Sequence, residues 1–147
     1  MSMQISFIKT SKGTGTRMLG KLKWFPDEYE VVTGGYGKGA IPDGPYDIGV
    51  YKAVEGDRAS MKSGFINPIT GRGWFLPLSA KFSTARYGFG IHPDGNLPGT
   101  KGCVGLQGGD IKKFWDKWMR TPLKMRPSSL LVTTDIKVGA NTALAEK

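Results

Sequence analysis

The chain holds one cysteine, one histidine and few acids for its bases, and each scarcity removes a class of protein. A lone thiol at Cys103 permits no intramolecular disulfide, which excludes a small secreted fold held by bridges. One histidine and one cysteine are too few for a zinc site, so no metal or cofactor is expected. No stretch approaches the roughly 18 to 20 uninterrupted apolar residues of a membrane-spanning helix. The start of the chain, Met1 to Phe7, lacks a basic region followed by a long apolar segment, so no secretory leader is expected. Asp and Glu number 12 against 21 Lys and Arg, a net charge of +9 that attracts polyanions such as nucleic acid, acidic lipid or an anionic cell envelope.

Glycine and proline are abundant, at 22 and 9 of 147 residues, with no collagen-like period, and aromatics are spread throughout. Such punctuation cuts a chain into short elements and favours strands over a helical bundle. The length fits one domain, expected over residues 1–138, with a small polar tail over 139–147. Alternation or turn-bounded apolar runs mark strands at residues 3–9, 18–24, 29–33, 46–54, 74–78, 88–92 and 130–136. Seven short strands in one domain imply a sandwich or a bent sheet. One segment has the helical period: Asp110 is placed to cap a helix in which Ile111, Phe114, Trp115, Trp118 and Met119 form a core-facing stripe before Pro122 ends it. Its other face and exit carry Lys112, Lys113, Lys117, Arg120, Lys124 and Arg126, read as a solvated surface or as a dock for an anionic polymer.

The segment Gly90 to Gly105 brings the only histidine, His92, within eleven positions of Cys103. A thiol becomes a nucleophile when a base or a positive field favours its thiolate. His92 is the candidate base, and Lys101 the candidate source of positive potential. Gly102 allows close backbone approach, and consecutive N–H groups in a tight turn can stabilise an oxyanion. These parts fit acyl transfer. By contrast, Gly34 to Gly39 lacks the Gly-Lys-Ser/Thr ending of a phosphate loop and precedes a hairpin rather than a helix. The alternative is a non-catalytic basic β domain that binds the cell wall, or binds nucleic acid through exposed Tyr36, Tyr51, Trp74 and Phe75.

Thr100-Lys101-Gly102-Cys103-Val104 resembles the Ser/Thr-x-Gly-Cys-hydrophobic signature of L,D-transpeptidase catalytic domains of YkuD type, with Ile91-His92 upstream in the place of their strand-borne histidine. Val32-Thr33-Gly34 and the segment Ile41 to Ile48 are similar to the family's Thr-Gly turn and following hairpin. The resemblance covers roughly residues 3–136. It departs at Pro93, where the family usually has Gly, at a short interval between His92 and Cys103, and at Gly105, where many members carry Arg or Asn.

The resemblance implies a mainly β fold, a bent mixed sheet or sandwich with one amphipathic helix after the cysteine. It implies Cys103 as nucleophile, His92 as base with its second ring nitrogen on a backbone carbonyl, and the N–H groups of Gly102 and Cys103 as oxyanion donors. Thr100, Lys101 and Trp74 are then expected at the substrate, with Thr100 chiefly fixing the loop. The substrate would be a peptidoglycan stem peptide, cut after the L-centre of its third residue. The acceptor would be an amine or water. A monomer is expected, with no specific nucleic-acid partner. Made in the cytoplasm, it would reach the periplasm or wall by lysis-type release or dedicated secretion, as a phage lysis enzyme or antibacterial effector.

Overall fold

The computed structural model describes residues 3–35, 39–94, 100 and 102–136; the expected tail at 139–147 lies outside them. Among these residues there are nine strands and a single α-helix: β1 Gln4–Lys12, β2 Met18–Trp24, β3 Asp27–Thr33, β4 Gly44–Ile48, β5 Val54–Asp57, β6 Arg72–Ala80, β7 Gly90–Pro93, β8 Val104–Leu106, α1 Asp110–Arg120 and β9 Ser129–Thr134. The fold is mainly β, as the glycine and proline punctuation implies.

The expected strand over 46–54 divides into two. Gly49 donates its N–H to the Pro77 carbonyl at 2.8 Å, a helical turn occupies Val50–Lys52, and pairing resumes only at β5. The three residues of β8 form a strand that periodicity could not reveal, since a three-residue alternation is too short to recognise.

Strands run in the order β4-β9-β1-β2-β3-β8-β7-β6-β5, and β4 also pairs with β6. Eight strands therefore close into a barrel, with β5 added outside the ring on β6. The strand count and the resemblance imply a sandwich or a bent sheet; the sheet instead closes through β4, which pairs with β9 on one side and β6 on the other. The pairs β1–β9 and β7–β8 are parallel, and the rest are antiparallel, so the sheet is mixed. Register puts apolar residues opposite one another around the ring: Phe7 faces Leu22 and Val132, Val31 faces Leu106, and Ile91 faces Leu76 and Val104. All of these are buried, and they fill the interior as alternate residues of a small barrel must.

α1 plugs one end of the barrel. Ile111, Phe114 and Trp118 are buried against Trp24, Tyr29 and Trp74, with Phe114 edge-on to Trp24 and Tyr29 and stacked on Trp74 at 5.4 Å. The stripe is narrower than its period suggests, because Trp115 is only half-buried, stacking on Trp74 and donating Nε1–H to Glu55, and Met119 is 50% exposed. Asp110 is the first helical residue rather than the cap. Its carboxylate accepts the Glu30 N–H at 2.8 Å and so ties the helix to β3.

The basic face is partly spent on the fold. Lys112 pairs with Asp116 one turn on, and Arg126 donates Nε–H to the Trp118 and Thr121 carbonyls. Lys117 donates to the carbonyls of Trp24 and Phe25 and to Asp27, with its ammonium 4.5 Å from the Trp24 ring centroid. Lys113, Arg120 and Lys124 remain exposed. A Lys117→Ala protein is therefore expected to lose about 1 to 2 kcal/mol, since a charged donor leaves three acceptors, whereas Lys113→Ala stays within about 0.5 kcal/mol of the parent. Urea unfolding of both checks this, and equal effects would contradict it.

Candidate active site

The site is built on the outer surface of the barrel where β7 and β8 run parallel. Ile91 pairs with Val104 and His92 with Gly105, and Ile91 and Val104 point inward. Alternation then turns Gly90, His92 and Gly105 to the outside, and Cys103, just before β8, has its sulfur 3.7 Å from the Gly88 carbonyl. Cys103 thus enters β8 next to the strand that carries His92.

His92 is only 4% exposed. Its Nδ1 lies 2.6 Å from the Pro93 carbonyl oxygen, which can only accept, so Nδ1 carries the proton and Nε2 keeps its lone pair. The ring packs against Phe65 at 4.3 Å and Phe75 at 5.9 Å between centroids. Burial pushes the imidazole down to about 4 against the opposing pull of the Pro93 carbonyl, so it is neutral across the physiological range.

Cys103, 8% exposed, sits 3.7 Å from the Gly88 carbonyl and accepts a hydrogen bond from the Gly90 N–H. Burial pushes the thiol up to about 11, against the Gly90 N–H and the Arg86 charge, which both favour the thiolate. Gly90 has a steric role as well, because the Phe75 ring lies where a Cβ at this position would be. Both groups therefore rest neutral, the thiol protonated and the imidazole singly protonated.

Thr100 organises the loop before β8. Its hydroxyl oxygen accepts N–H bonds from Gly34 at 3.2 Å, Gly102 at 3.1 Å and Cys103 at 2.8 Å, while its proton goes to the Cys103 carbonyl at 2.9 Å. The two N–H groups that the sequence suggests as oxyanion donors are thus both held by Thr100, and they can serve a substrate only if this hydroxyl releases them. Gly105 closes the arrangement: a Cβ there would come within 2.9 Å of Thr100 Cγ2 and 3.0 Å of Asp94 Cβ.

One expected substrate contact is not brought to this site. Trp74 is 3% exposed, at the helix end of the barrel between Phe114 and Trp115, because its strand position faces the interior; stacking on a ligand is closed to it. Lys101 lies outside the described residues, as does Tyr36. The positive charge that the structure does place beside Cys103 is Arg86, which the sequence reading missed. Arg86 donates Nη1–H to the Ala40 carbonyl and Nη2–H to the Gly39 carbonyl, both at 3.0 Å, and lies over the Phe89 ring at 5.5 Å. Its Nη2 occupies the space of a Cβ at Gly102 and would have to shift for one, and the φ of +98° there strains any residue but glycine. Arg86 stands in no motif, and only folding brings the loop before β7 against the one before β8.

Among the described residues no helix is long and apolar enough to cross a membrane. No protein-family model, curated protein or solved structure matches this chain.

Proposed function

We propose that the chain is a cysteine acyltransferase or peptidase of L,D-transpeptidase type that acts on peptidoglycan stem peptides. The observation that supports this reading is the bond from His92 Nδ1–H to the Pro93 carbonyl, on a strand paired with β8, the strand that Cys103 enters. A base of fixed tautomer and a thiol on adjoining strand ends are the minimum equipment of nucleophilic acyl transfer. The substrate class rests on the resemblance of the Thr100 to Val104 segment to the family's signature.

In the first half-reaction Cys103 Sγ attacks the carbonyl at the L-centre of the third stem residue while Nε2 of His92 takes the thiol proton. The C–N bond breaks as that proton passes to the departing amine, leaving a thioester and a free D-amino acid. In the second, an amine of another stem, or water, adds to the thioester and gives its proton to Nε2. The C–S bond breaks and the proton returns to sulfur. The neutral resting pair suits this sequence, because the proton moves only as the new bond forms. The exposed Lys113, Arg120 and Lys124 would hold the enzyme to the anionic envelope.

Mass spectrometry of tetrapeptide muropeptides and of cross-linked sacculi, after incubation with the parent and with Cys103→Ala, tests the proposal. Loss of terminal D-Ala, new 3-3 dimers or cleaved cross-links are expected with the parent and absent with the variant. A buried neutral thiol would also suit a module that binds wall without reacting. Unchanged muropeptides together with retained sacculus binding would install that reading instead.

A further inference from the structure

We propose that a cleft between α1 and the β5–β6 ribbon binds an N-acetylated hexosamine, with Trp115 as the platform for the sugar ring and the Asn67 amide as donor to the acetamido carbonyl. Assigning that sugar to a glycan strand rests on the peptidoglycan reading above, whereas the site itself uses neither His92 nor Cys103.

Register builds the cleft. Glu55 pairs with Trp74 across β5 and β6, and Arg72 lies two residues before Trp74 on the same side of β6, so this side of the ribbon meets Ile111 and Trp115 of α1. The space enclosed is about 280 Å³, at the small end for a ligand pocket and suited to one sugar ring. Trp74 stacks on Trp115 with 4.7 Å between ring centroids, and Glu55 accepts Trp115 Nε1–H at 3.0 Å. The Trp115 ring is thereby fixed but only half-buried, and it lines the cleft. A pyranose carries C–H groups of slight positive charge on one face, and these pack on the electron-rich face of an indole. A ring already held in place loses little freedom when they do.

Asn67 is the group that lacks a partner. It lines the cleft and is 4% exposed. Its Oδ1 accepts the Ile69 N–H at 3.0 Å and closes the turn before β6, whereas its Nδ2 has no acceptor among the described residues. Among those residues only Trp118 Nε1 is both unpartnered and sealed from solvent, so Nδ2 of Asn67 keeps an opening, and the cleft is where Asn67 opens. A donor so placed gains most from a carbonyl oxygen brought in by a ligand.

The rim selects a neutral occupant. Arg72 and Lys112 are balanced by Glu55 and Asp116, and Lys112 is paired with Asp116 at 2.6 Å. A polyanion gains little from such a rim, while hydroxyl groups, which donate and accept, find partners of both kinds. An apolar ring face, hydroxyls around it and one amide carbonyl together describe an N-acetylated hexosamine. Two residues before Asn67, Phe65 packs on the His92 ring, so one short segment serves both the sugar cleft and the candidate active site.

The test is an NMR titration that follows the indole N–H resonances of the parent as the β-1,4-linked tetramer of N-acetylglucosamine is added, and again with the tetramer of glucose, which lacks the acetamide. The Trp115 resonance is expected to shift and saturate with a Kd of about 1 mM, while that of Trp24 stays in place. The glucose tetramer should bind about tenfold more weakly, the usual loss when a buried donor goes without its acceptor. Asn67→Asp keeps an oxygen for the Ile69 N–H and replaces the donor with an acceptor, so it should lose about tenfold for the N-acetylated tetramer and little for the glucose tetramer.

No saturable shift at Trp115, equal affinity for the two tetramers, or unchanged affinity in a folded Asn67→Asp would each overturn the site. The comparison of tetramers needs no variant, so it decides the matter even if Asn67→Asp fails to fold. Nor does the titration need turnover. A parent that binds the N-acetylated tetramer and leaves tetrapeptides uncut keeps this site and loses the acyl-transfer reading, and one that cuts tetrapeptides and binds neither tetramer does the reverse.

Discussion

A His92→Gln protein is expected to lose about 10³-fold in turnover and, in the same substitution, to become the more acid-resistant fold. The first effect follows from role: Gln can donate to the Pro93 carbonyl as Nδ1 does, but it offers no nitrogen that takes a proton from sulfur, and general-base catalysis is typically worth about 10² to 10⁴. The second follows from burial. An imidazole that titrates near 6.5 when unfolded and at about 4 when folded makes the unfolded state bind the extra proton between those values. The stability it withholds from the charged form is fully present above pH 6.5 and disappears as the pH falls, by about 2 kcal/mol at pH 5 and about 3 kcal/mol at pH 4. The carboxylates contribute their own acid sensitivity to both proteins, so the measurement is the difference in unfolding free energy between parent and variant from pH 7.5 to pH 4. A constant difference would mean that His92 takes up its proton readily in the folded state. The cage of Phe65 and Phe75 would then be open.

The alkaline side obeys the opposite sign. Cys103 titrates at about 11 in the fold against 9.0 in the free chain, so its contribution is complete below pH 9 and is lost between 9 and 11. Tyr29 and Tyr46, pushed by burial to about 12, add their loss above pH 10. The contributions of His92 and Cys103 are accordingly both complete where both groups are neutral, which is also where the proposed mechanism needs them.

What was legible before folding is what neighbours in the chain decide. β1, β2 and β3 lie where alternation places them, and α1 where its period does, because one face of each is buried by its own pattern. His92 and Cys103 stood out through their loop signature. Features that depend on distant segments were not legible. Barrel closure needs β4 to find both β9 and β6. Arg86 needs the loop before β7 to meet Gly102, and the cage on His92 needs Phe65 to arrive from the connection between β5 and β6. Trp74 shows the converse: a large aromatic in a short strand reads equally as a binding surface or as core, and only the register of β6 around the ring turns it inward.

Thr100→Val carries the other large effect, and it separates two roles for the same hydroxyl. Valine keeps the shape, so little packing changes. The N–H groups of Gly34, Gly102 and Cys103 lose their common acceptor, and the Cys103 carbonyl loses its donor, all in a buried loop. An orphaned buried polar group costs about 1 to 3 kcal/mol, and partial relaxation of a loop shares that cost among them, so a loss of at least about 3 kcal/mol in urea unfolding is expected. Thr100→Ser keeps the oxygen and gives up one methyl, for about 1 kcal/mol. The kinetic consequence decides what the two N–H groups are for. If Thr100 positions the nucleophile, Thr100→Val loses at least tenfold in kcat while KM changes little, and Thr100→Ser restores most of the rate. If instead those donors wait for the oxyanion, freeing them from Thr100 should leave kcat intact or raise it, in a protein that is no less stable. The bonds at 2.8 and 3.1 Å favour the first outcome, because donors already satisfied in a buried loop gain little by exchanging one oxygen for another.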